Sequence, residues 1–359
     1  MKHDEKEPAI IGGVDTHKDS HTAAAITELG TLLGTQTFPA NAQGYEELLD
    51  WLRTHGTVDR IGVEGTGSYG SGLSEFLRQA GVAVEEVNRP NRQSRRRHGK
   101  TDDTDAVSAA RTTLAGEALG SPKVRNSLVE AIRVLRVERR SAIHSRTKTA
   151  NQLHALVTTA PEPLRAELRG LSVRALVDRA RRMRCPKVTD VESATKRALR
   201  GLGRRWHALH EEIGELDVEL EPLVRKVAPD LVALVGVGID VAGSLLVAAG
   251  GNPERLRSER SFAALCGASP VDASSGKQHR HRLNRGGNRD ANRALWVIAL
   301  VRFRRDPRTR DYVARRTAEG LSKPEIMRCL KRFIAREVFK VLRSLAPSTK
   351  TSASPQEAA

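Results

Sequence analysis

Four acidic residues are spaced as a metal-binding site would require. Asp15 directly follows the apolar run AIIGGV, and Glu64 directly follows the apolar stretch in DRIGVE. Functional side chains of α/β folds gather at the carboxyl ends of buried strands, so both acids occupy positions suited to catalysis. In KTDDTDA, Asp102 and Asp105 are three residues apart, which on a helix places them on one face. Asp103 then points elsewhere or caps the helix.

Carboxylates that converge on one cleft repel one another unless a cation neutralises them. Hard oxygen ligands in this number suit Mg²⁺ or Mn²⁺. Two such ions about 4 Å apart would stabilise the attacking and leaving oxygens at a phosphodiester. The predicted catalytic acids and metal ligands are Asp15, Glu64, Asp102 and Asp105. The alternative for any one of them is ordinary surface charge or a helix cap, although an acid directly after a buried strand needs a reason.

A second candidate centre lies in GASPVDASSGKQHRHRLNRGGNRDANRALW, where the serine pair Ser274 and Ser275 precedes a dense basic run. Arginines near a serine could position a phosphate while the hydroxyl attacks phosphorus. The candidate phosphate contacts are Arg280, Arg282, Arg285 and Arg293. The alternative is a polar loop whose arginines only hold DNA. His279 and His281 have no partners at zinc-ligand spacing, so no zinc site is predicted.

The formal net charge of +17 over 359 residues is unevenly distributed. Residues 1–90 are acidic overall, whereas residues 91–150 and 277–343 are strongly basic. Because phosphate neutralisation releases counterions, basic blocks of this kind favour a nucleic-acid partner, here double-stranded DNA. A solvated basic surface is the alternative. Candidate contacts whose neutralisation should flatten the salt dependence of binding are Arg302, Arg304, Arg305 and Arg308.

The cysteines and the hydropathy of the chain indicate its cellular compartment. The three cysteines, Cys185, Cys266 and Cys329, are far apart and odd in number, which excludes a disulfide framework and a CxxC zinc pattern. No apolar run approaches the roughly 18–20 residues that span a bilayer, and the N-terminal MKHDEKEPAI lacks the apolar core of a signal peptide. We expect a reduced, cytoplasmic protein with no membrane partner.

Residues 1–120 alternate strand and helix signals. HTAAAIT and TLLGTQTF flank ELG as antiparallel strands, and AQGYEELLDWLRTHG has helical spacing with a glycine stop. DRIGVEGTG is a further buried strand, followed by the helix SGLSEFLRQAG and the strand VAVEEVN. The order βββαβα, with a further strand and helix following, is that of an α/β domain of the RNase H-like class.

Residues 121–228 are predicted to be helical. Apolar residues from Leu199 to Leu223 alternate three and four apart, which is the coiled-coil pattern. A weaker, more polar seam runs from Ile132 to Leu156. A long helical hairpin or dimerisation arm explains both seams, and ordinary bundle packing explains them equally well.

Residues 229–345 form a predicted third, mainly α-helical domain. Its opening LVALVGVGIDVAGSLLVAAGG has two apolar segments joined by Gly236-Val237-Gly238, which resembles a helix–hairpin–helix. Glycines there would let backbone N–H groups approach a phosphate. A purely structural helical turn would have the same sequence pattern. Residues 346–359 are low in complexity and predicted to be disordered.

Three acidic motifs occur in a fixed order: GVDTHK (13–18), GVEGTGSYG (62–70) and KTDDTDA (100–106). Together they closely resemble the DEDD transposases of the IS one-ten (IS110) family of bacterial insertion sequences. The second half is similar to that family's C-terminal transposase domain in LVGVGIDVAGSLLVAAGG, FAALCGASP, SSGK and GGNRDANRALW. SSGKQHRHRLNRGGN is only broadly like the family's serine–glycine segment.

The resemblance implies an RNase H-like domain of the RuvC type whose four acids, named above, bind Mg²⁺. It implies a nucleophilic serine at Ser275, with Ser274 as the alternate, and DNA that is cut and rejoined through a phosphoserine linkage. It also implies a homo-oligomer, dimer or tetramer, and a noncoding bridge RNA that pairs with donor and target DNA in the bacterial nucleoid. Lys100, the first residue of KTDDTDA, is predicted to contact the DNA backbone beside the metal.

These features predict an insertion-sequence transposase that cleaves and rejoins DNA strands. A site-specific DNA invertase of the Piv type shares the motifs and is the first alternative. A metal-dependent nuclease or junction resolvase would use the acids without the serine. A nucleic-acid-binding protein with inert acids would keep every activity after Asp15→Asn.

Overall fold

The computed structural model describes residues 8–87, 101–118, 120–185, 187–272 and 281–345. These residues separate into two compact units. The first consists of the described residues up to Ser127 together with Ala249–Phe262, and the second of Leu128–Ala248 and Ala263–Leu345. Within the described residues, no helix combines the length and the apolar character that crossing a membrane requires.

A five-stranded mixed sheet is the centre of the first unit. Its strands are β1 (Ala9–Thr16), β2 (Ser20–Thr27), β3 (Leu32–Pro39), β4 (Thr57–Glu64) and β5 (Ala83–Val87). They lie in the order β3-β2-β1-β4-β5. Strands β1, β2 and β3 form an antiparallel meander, while β4 runs parallel to β1 and β5 parallel to β4. The predicted α/β character of the N-terminal region is confirmed.

Helices cover both faces of this sheet. Its helices are α1 (Ala42–Arg53), α2 (Ser71–Gln79) and α3 (Asp102–Leu114). Ile10 and Val14 of β1 belong to the core that includes Leu48 of α1 and Leu73 of α2. Ile11 of β1, which points to the opposite face, packs with Ala110 of α3. A strand buried on both faces reads as a nearly continuous apolar run, which explains AIIGGV.

The segment Ala249–Phe262 belongs to the first unit although it lies far along the chain. Asn252 holds it there: its side-chain amide donates to the Pro122 carbonyl (3.0 Å) and accepts from the Val124 N–H (3.0 Å). Arg255, in the short 3₁₀ helix Pro253–Arg255, donates to the Ser121 carbonyl (3.1 Å). The sequence-based boundaries at residues 120, 228 and 345 remain predictions.

Two long helices dominate the second unit. They are α4 (Leu128–Thr159) and α7 (Val191–Val227), which pack along each other, with the short helices α5 (Glu162–Leu168) and α6 (Val173–Arg181) between them in sequence. Leu153 of α4, Leu168 of α5, Leu176 of α6 and Leu199 of α7 share one apolar cluster. The predicted helical hairpin is therefore present within a single chain.

The rest of the second unit is mostly helical, as predicted. The elements are α8 (Pro229–Ala233), α9 (Ile239–Ala249), α10 (Glu259–Leu265), the two-residue strands β6 (Val271–Asp272) and β7 (His281–Arg282), α11 (Arg289–Arg305), α12 (Pro307–Ala318) and α13 (Lys323–Ser344). Helix α10 begins in the first unit. Side chains of Asn288 and Asp306 cap α11 and α12 by accepting backbone N–H bonds. Gly236, between α8 and α9, has a φ of +85°, a conformation that favours glycine.

Candidate functional site

Two glycines let helix α3 lie directly on the sheet. A Cβ built on Gly13 of β1 would come 2.2 Å from the Ala110 nitrogen and 2.3 Å from the Ala106 carbonyl oxygen. A Cβ on Gly62 of β4 would come 2.0 Å from the Thr113 hydroxyl oxygen. Gly13 and Gly62 are partners in the parallel β1–β4 pair. The backbone of α3 therefore occupies the space of a side chain at position 13, and the Thr113 side chain of α3 occupies that at position 62.

The acids Asp15 and Glu64 follow these glycines by two residues on their strands. Because side chains alternate along a strand, both acids face the side of the sheet that α3 covers. The register pairs Val14 with Val63, so Asp15 and Glu64 end adjacent parallel strands. Both are 5% exposed. The Thr16 hydroxyl donates to the Glu64 carbonyl oxygen (2.8 Å) and ties the two strand ends together.

The first turn of α3 carries the remaining acids. The Thr101 hydroxyl caps the helix by accepting from the Thr104 N–H (3.2 Å), so the helix begins at Asp102. Carboxylates are stabilised at this end of a helix by its dipole. Asp105 is buried and Asp102 is exposed. Asp103 is also exposed and lines a different groove.

His17 joins two of the predicted acids and is not among the site residues predicted from the sequence. Its Nε2 lies 3.1 Å from Oδ2 of Asp15 and 3.2 Å from Oδ1 of Asp102. One ligand atom from each of these three residues falls within a group no wider than 4.8 Å. The signal was available in GVDTHK, because a residue two positions after Asp15 at a strand end can turn back to the same edge.

Burial and neighbouring charge act together on Asp15. Its burial raises the pKa of the carboxyl above the ordinary value, His17 lowers it, and the nearby carboxylates of Asp105 and Asp102 raise it. A cation at this position would relieve both the burial and the repulsion, and carboxylate oxygens are the donors that Mg²⁺ and Mn²⁺ prefer. The residues present therefore fit a hard divalent cation. His17 adds a nitrogen donor that Mn²⁺ accepts more readily than Mg²⁺.

Some of the C-terminal candidates can be placed. Arg285 and Arg293 are exposed and line one groove together with Trp296, which is 45% exposed. Arg282 lines a separate cavity. The remaining predicted residues lie outside the described residues: Lys100, Ser274, Ser275 and Arg280.

Two family models match this chain. Residues 12–160 match a model described as Transposase, of the DEDD type of IS110, and residues 230–314 match a model described as Transposase IS116/IS110/IS902 family. An uncharacterized 43.6 kDa protein of insertion element IS110 from Streptomyces coelicolor is 24% identical over 95% of each chain. An uncharacterized 42 kDa protein of insertion element IS900 from Mycobacterium paratuberculosis is 30% identical over 42% of this chain and 40% of its own. The mini-circle IS117 protein of Streptomyces coelicolor is 26% identical over 75% of this chain and 78% of its own.

Both models describe transposases, and the first covers every acid of the candidate site. The class is therefore that of enzymes that act on DNA as transposases. The chain belongs to the IS110 family of insertion-sequence transposases. The family assignment predicted from the three acidic motifs is confirmed.

Proposed function

We propose that this transposase cleaves and rejoins DNA strands by a reaction that requires a divalent cation at the edge of its N-terminal sheet. The observation that carries the proposal is the convergence of Asp15, His17 and Asp102 within 4.8 Å, with Asp105 close enough to raise the pKa of Asp15. Buried acids held near one another without a cation are costly, so the fold retains them for a function.

The proposed cation is Mg²⁺ or Mn²⁺, and its proposed ligands are Asp15, Glu64, Asp102 and Asp105. When bound, such a cation stabilises the negative charge that develops on a phosphodiester during strand cleavage. The chain's own contribution is to hold the acids in place: β1 and β4 fix Asp15 and Glu64, and α3 presents the other two. When no cation is bound, Nε2 of His17 lies within bonding distance of Asp15 and Asp102 and holds the two side chains together.

The proposed fold relationship is to RNase H-like domains of the RuvC type. The antiparallel meander β1–β3 continued by the parallel strands β4 and β5, with α3 packed beside the strand ends that carry acids, supports it. In the second unit, the turn at Gly236 between α8 and α9 supports a helix–hairpin–helix-like contact with a DNA phosphate.

The proposed nucleophile is Ser275, with Ser274 as the alternate. Its Oγ would attack phosphorus, forming an O–P bond while the bond from phosphorus to the leaving deoxyribose oxygen breaks and that oxygen takes up a proton. A second strand hydroxyl would reverse the exchange and rejoin the DNA, releasing the serine. The family membership of the chain supports this step. The same membership supports a noncoding bridge RNA and a homo-oligomer as partners, in addition to double-stranded DNA.

The metal proposal is tested by cation binding and cleavage in matched variants. Asp15→Asn should abolish Mn²⁺ binding, measured by calorimetry or electron paramagnetic resonance, together with cleavage of DNA that carries the element ends. Asp103→Asn, a change of the same chemistry one residue from Asp102, should leave both intact because Asp103 faces another groove. Equal losses in the two variants, or Mn²⁺ binding that survives Asp15→Asn, would refute the assignment.

The serine proposal has a separate test. DNA-linked protein on denaturing gels should disappear in Ser275→Ala, and mass spectrometry of the linked peptide should identify the residue. If Ser274→Ala removes the adduct instead, the alternate is the nucleophile. Cleavage that continues in both variants with no adduct would indicate a resolvase-type nuclease.

A further inference from the structure

A basic cavity in the second unit is not used by any step proposed so far. Its volume is about 590 Å³, and strand β7, helix α13 and the segment before β6 contribute to its wall. Among the described residues, four cationic side chains line it, accompanied by one acid, Glu325. The cationic residues are Arg282, Arg328, Lys331 and Arg332.

Lys331 is the unusual member of this set. It is 6% exposed and lies on the apolar face of α13 between Leu330 and Ile334, where an aliphatic residue would be expected. Its Nζ donates to Oδ1 of Asn292 (2.9 Å). Among the described residues no carboxylate forms an ion pair with it. Lysine is almost never buried to this degree unless it is paired, and an ammonium group has three donors to satisfy.

The acid in the cavity wall, Glu325, is hydrogen-bonded to Ser322. The Glu325 carboxylate accepts from the Ser322 N–H (2.9 Å) and hydroxyl (2.6 Å), which completes the capping box of α13. Nη2 of Arg328 lies 3.9 Å from Oε1 of the same carboxylate. Burial lowers the pKa of Lys331, and the charge of Arg328 lowers it further. The cavity therefore has a surplus of positive charge.

Asn292 connects Lys331 to the segments on either side of the β6–β7 pair. Its amide donates to the carbonyl oxygens of Cys266 (2.8 Å) and Gly267 (3.1 Å), just before β6. Just after β7, a Cβ on Gly287 would come 2.2 Å from the Gly267 nitrogen. The segment before β6 and the segment after β7 are therefore closely packed against each other, and Asn292 is hydrogen-bonded to the first of them. In sequence, the connection between β6 and β7 contains Ser274 and Ser275.

We propose that this cavity binds one backbone phosphate of a DNA strand and that Lys331 is its buried cationic contact. A phosphodiester supplies the acceptor oxygens and negative charge that Lys331, Arg328 and Arg282 together favour. A phosphate seated there fixes the DNA strand beside the ends of β6 and β7. Lys331 is then a positioning residue for the strand, and the proposal depends on neither the metal site nor the identity of the nucleophile.

DNA binding without divalent cations tests the proposal. In EDTA, Lys331→Met should weaken binding of the full-length protein to an element-end duplex by about 10-fold or more, measured by fluorescence anisotropy. Lys340→Met, an exposed lysine on the same helix, is the matched control and should change affinity much less. Arg328→Gln, at a residue with a side chain 42% exposed, should also weaken binding and tests the cavity without altering the core.

A chemical change in the DNA makes the test specific. Single uncharged methylphosphonate linkages are placed in turn along both strands. At one position the methylphosphonate should weaken binding of the wild-type protein as much as Lys331→Met does. At that position it should not weaken binding of Lys331→Met any further, because the uncharged linkage and the substitution remove the same contact. Additive losses at every position would overturn the phosphate contact. Wild-type DNA affinity in folded Lys331→Met and in Arg328→Gln would overturn it as well, and a loss seen only with an RNA hairpin would overturn the assignment to DNA.

Discussion

Asp15 is held where the surrounding protein disfavours its charge. Among the described residues, His17 lowers the pKa of this carboxyl, whereas burial and the charges of Asp105 and Asp102 raise it and oppose ionisation. A protein that needed only stability would place an amide or an apolar side chain here. Sites that keep such a group usually trade stability for function.

We therefore expect Asp15→Asn to stabilise the cation-free protein while it abolishes activity. The amide removes the buried charge and still offers an oxygen to His17, so the free energy of unfolding should rise by about 1 kcal/mol. Chemical denaturation in EDTA measures the change. Added Mn²⁺ should then raise the melting temperature of the wild type and leave that of the variant unchanged. A variant less stable than the wild type in EDTA would contradict the electrostatic account.

The three cysteines should differ in thiol reactivity because they differ in burial. Cys266 is fully buried, and burial raises the pKa of its thiol to about 12, so almost no thiolate exists near neutral pH. Cys185 and Cys329 are partly exposed. Iodoacetamide at pH 8 should label Cys185 and Cys329 and leave Cys266 unlabelled until denaturant is added. Peptide mass spectrometry reads the result, and early labelling of Cys266 would show that this part of the fold opens readily.

The packing of helix α3 on the sheet requires that residue 13 of β1 have no side chain. Gly13→Ala would force its Cβ into the backbone of α3 at Ala110 and Ala106. The change should destabilise the first unit by about 3 kcal/mol, because a backbone cannot move aside as a side chain can. The acids of α3 would shift with the helix, so cleavage should fall even in protein that remains folded. Thermal and chemical unfolding, with cleavage assays, measure both effects.

Gly201→Ala is the matched control for that substitution. Gly201 lies within helix α7, and a Cβ there meets nothing within 4 Å. Alanine should stabilise the helix by about 0.5–1 kcal/mol, since it lowers the backbone entropy of the unfolded chain. If both substitutions had the same effect, the close packing of α3 on β1 would not be the cause.

The sequence predicts the features that local residue spacing determines, and it does not predict those that distant contacts determine. Strand β1 was predictable because its apolar run ends at an acid, and α7 because its apolar residues repeat at helical spacing. Leu199 and Ile213 of that seam are buried on packing within the chain, so the seam alone does not require a second copy. The contacts of His17 with Asp102 and of Lys331 with Asn292 escaped prediction because they join residues 85 and 39 positions apart. Spacing along the chain carries no signal for contacts of that range.

Over the whole molecule, the basic surplus is divided between groups that stabilise the fold and groups that remain free for DNA. Arg302, one of the four arginines predicted to contribute to the salt dependence, has the contacts of the first kind. Its side chain is 13% exposed, bonded to Glu337 (2.6 Å) and to the Val235 carbonyl oxygen (2.8 Å). Arg304, Arg305 and Arg308 are exposed. Net charge alone could not separate these two groups.

The salt dependence of DNA binding should distinguish them. Replacing Arg304, Arg305 and Arg308 together by glutamine should reduce the slope of log affinity against log salt by up to about 0.9 for each phosphate contact that is lost. Arg302→Gln should leave the slope nearly unchanged and lower the melting temperature, because it breaks a bond to Glu337 that α11 and α13 share. Anisotropy titrations of a duplex between 50 and 200 mM salt, about the range over which such affinities fall steeply, give the slope. A triple variant with the wild-type slope would place the DNA on another face, with Arg285 and Arg293 as the next residues to replace.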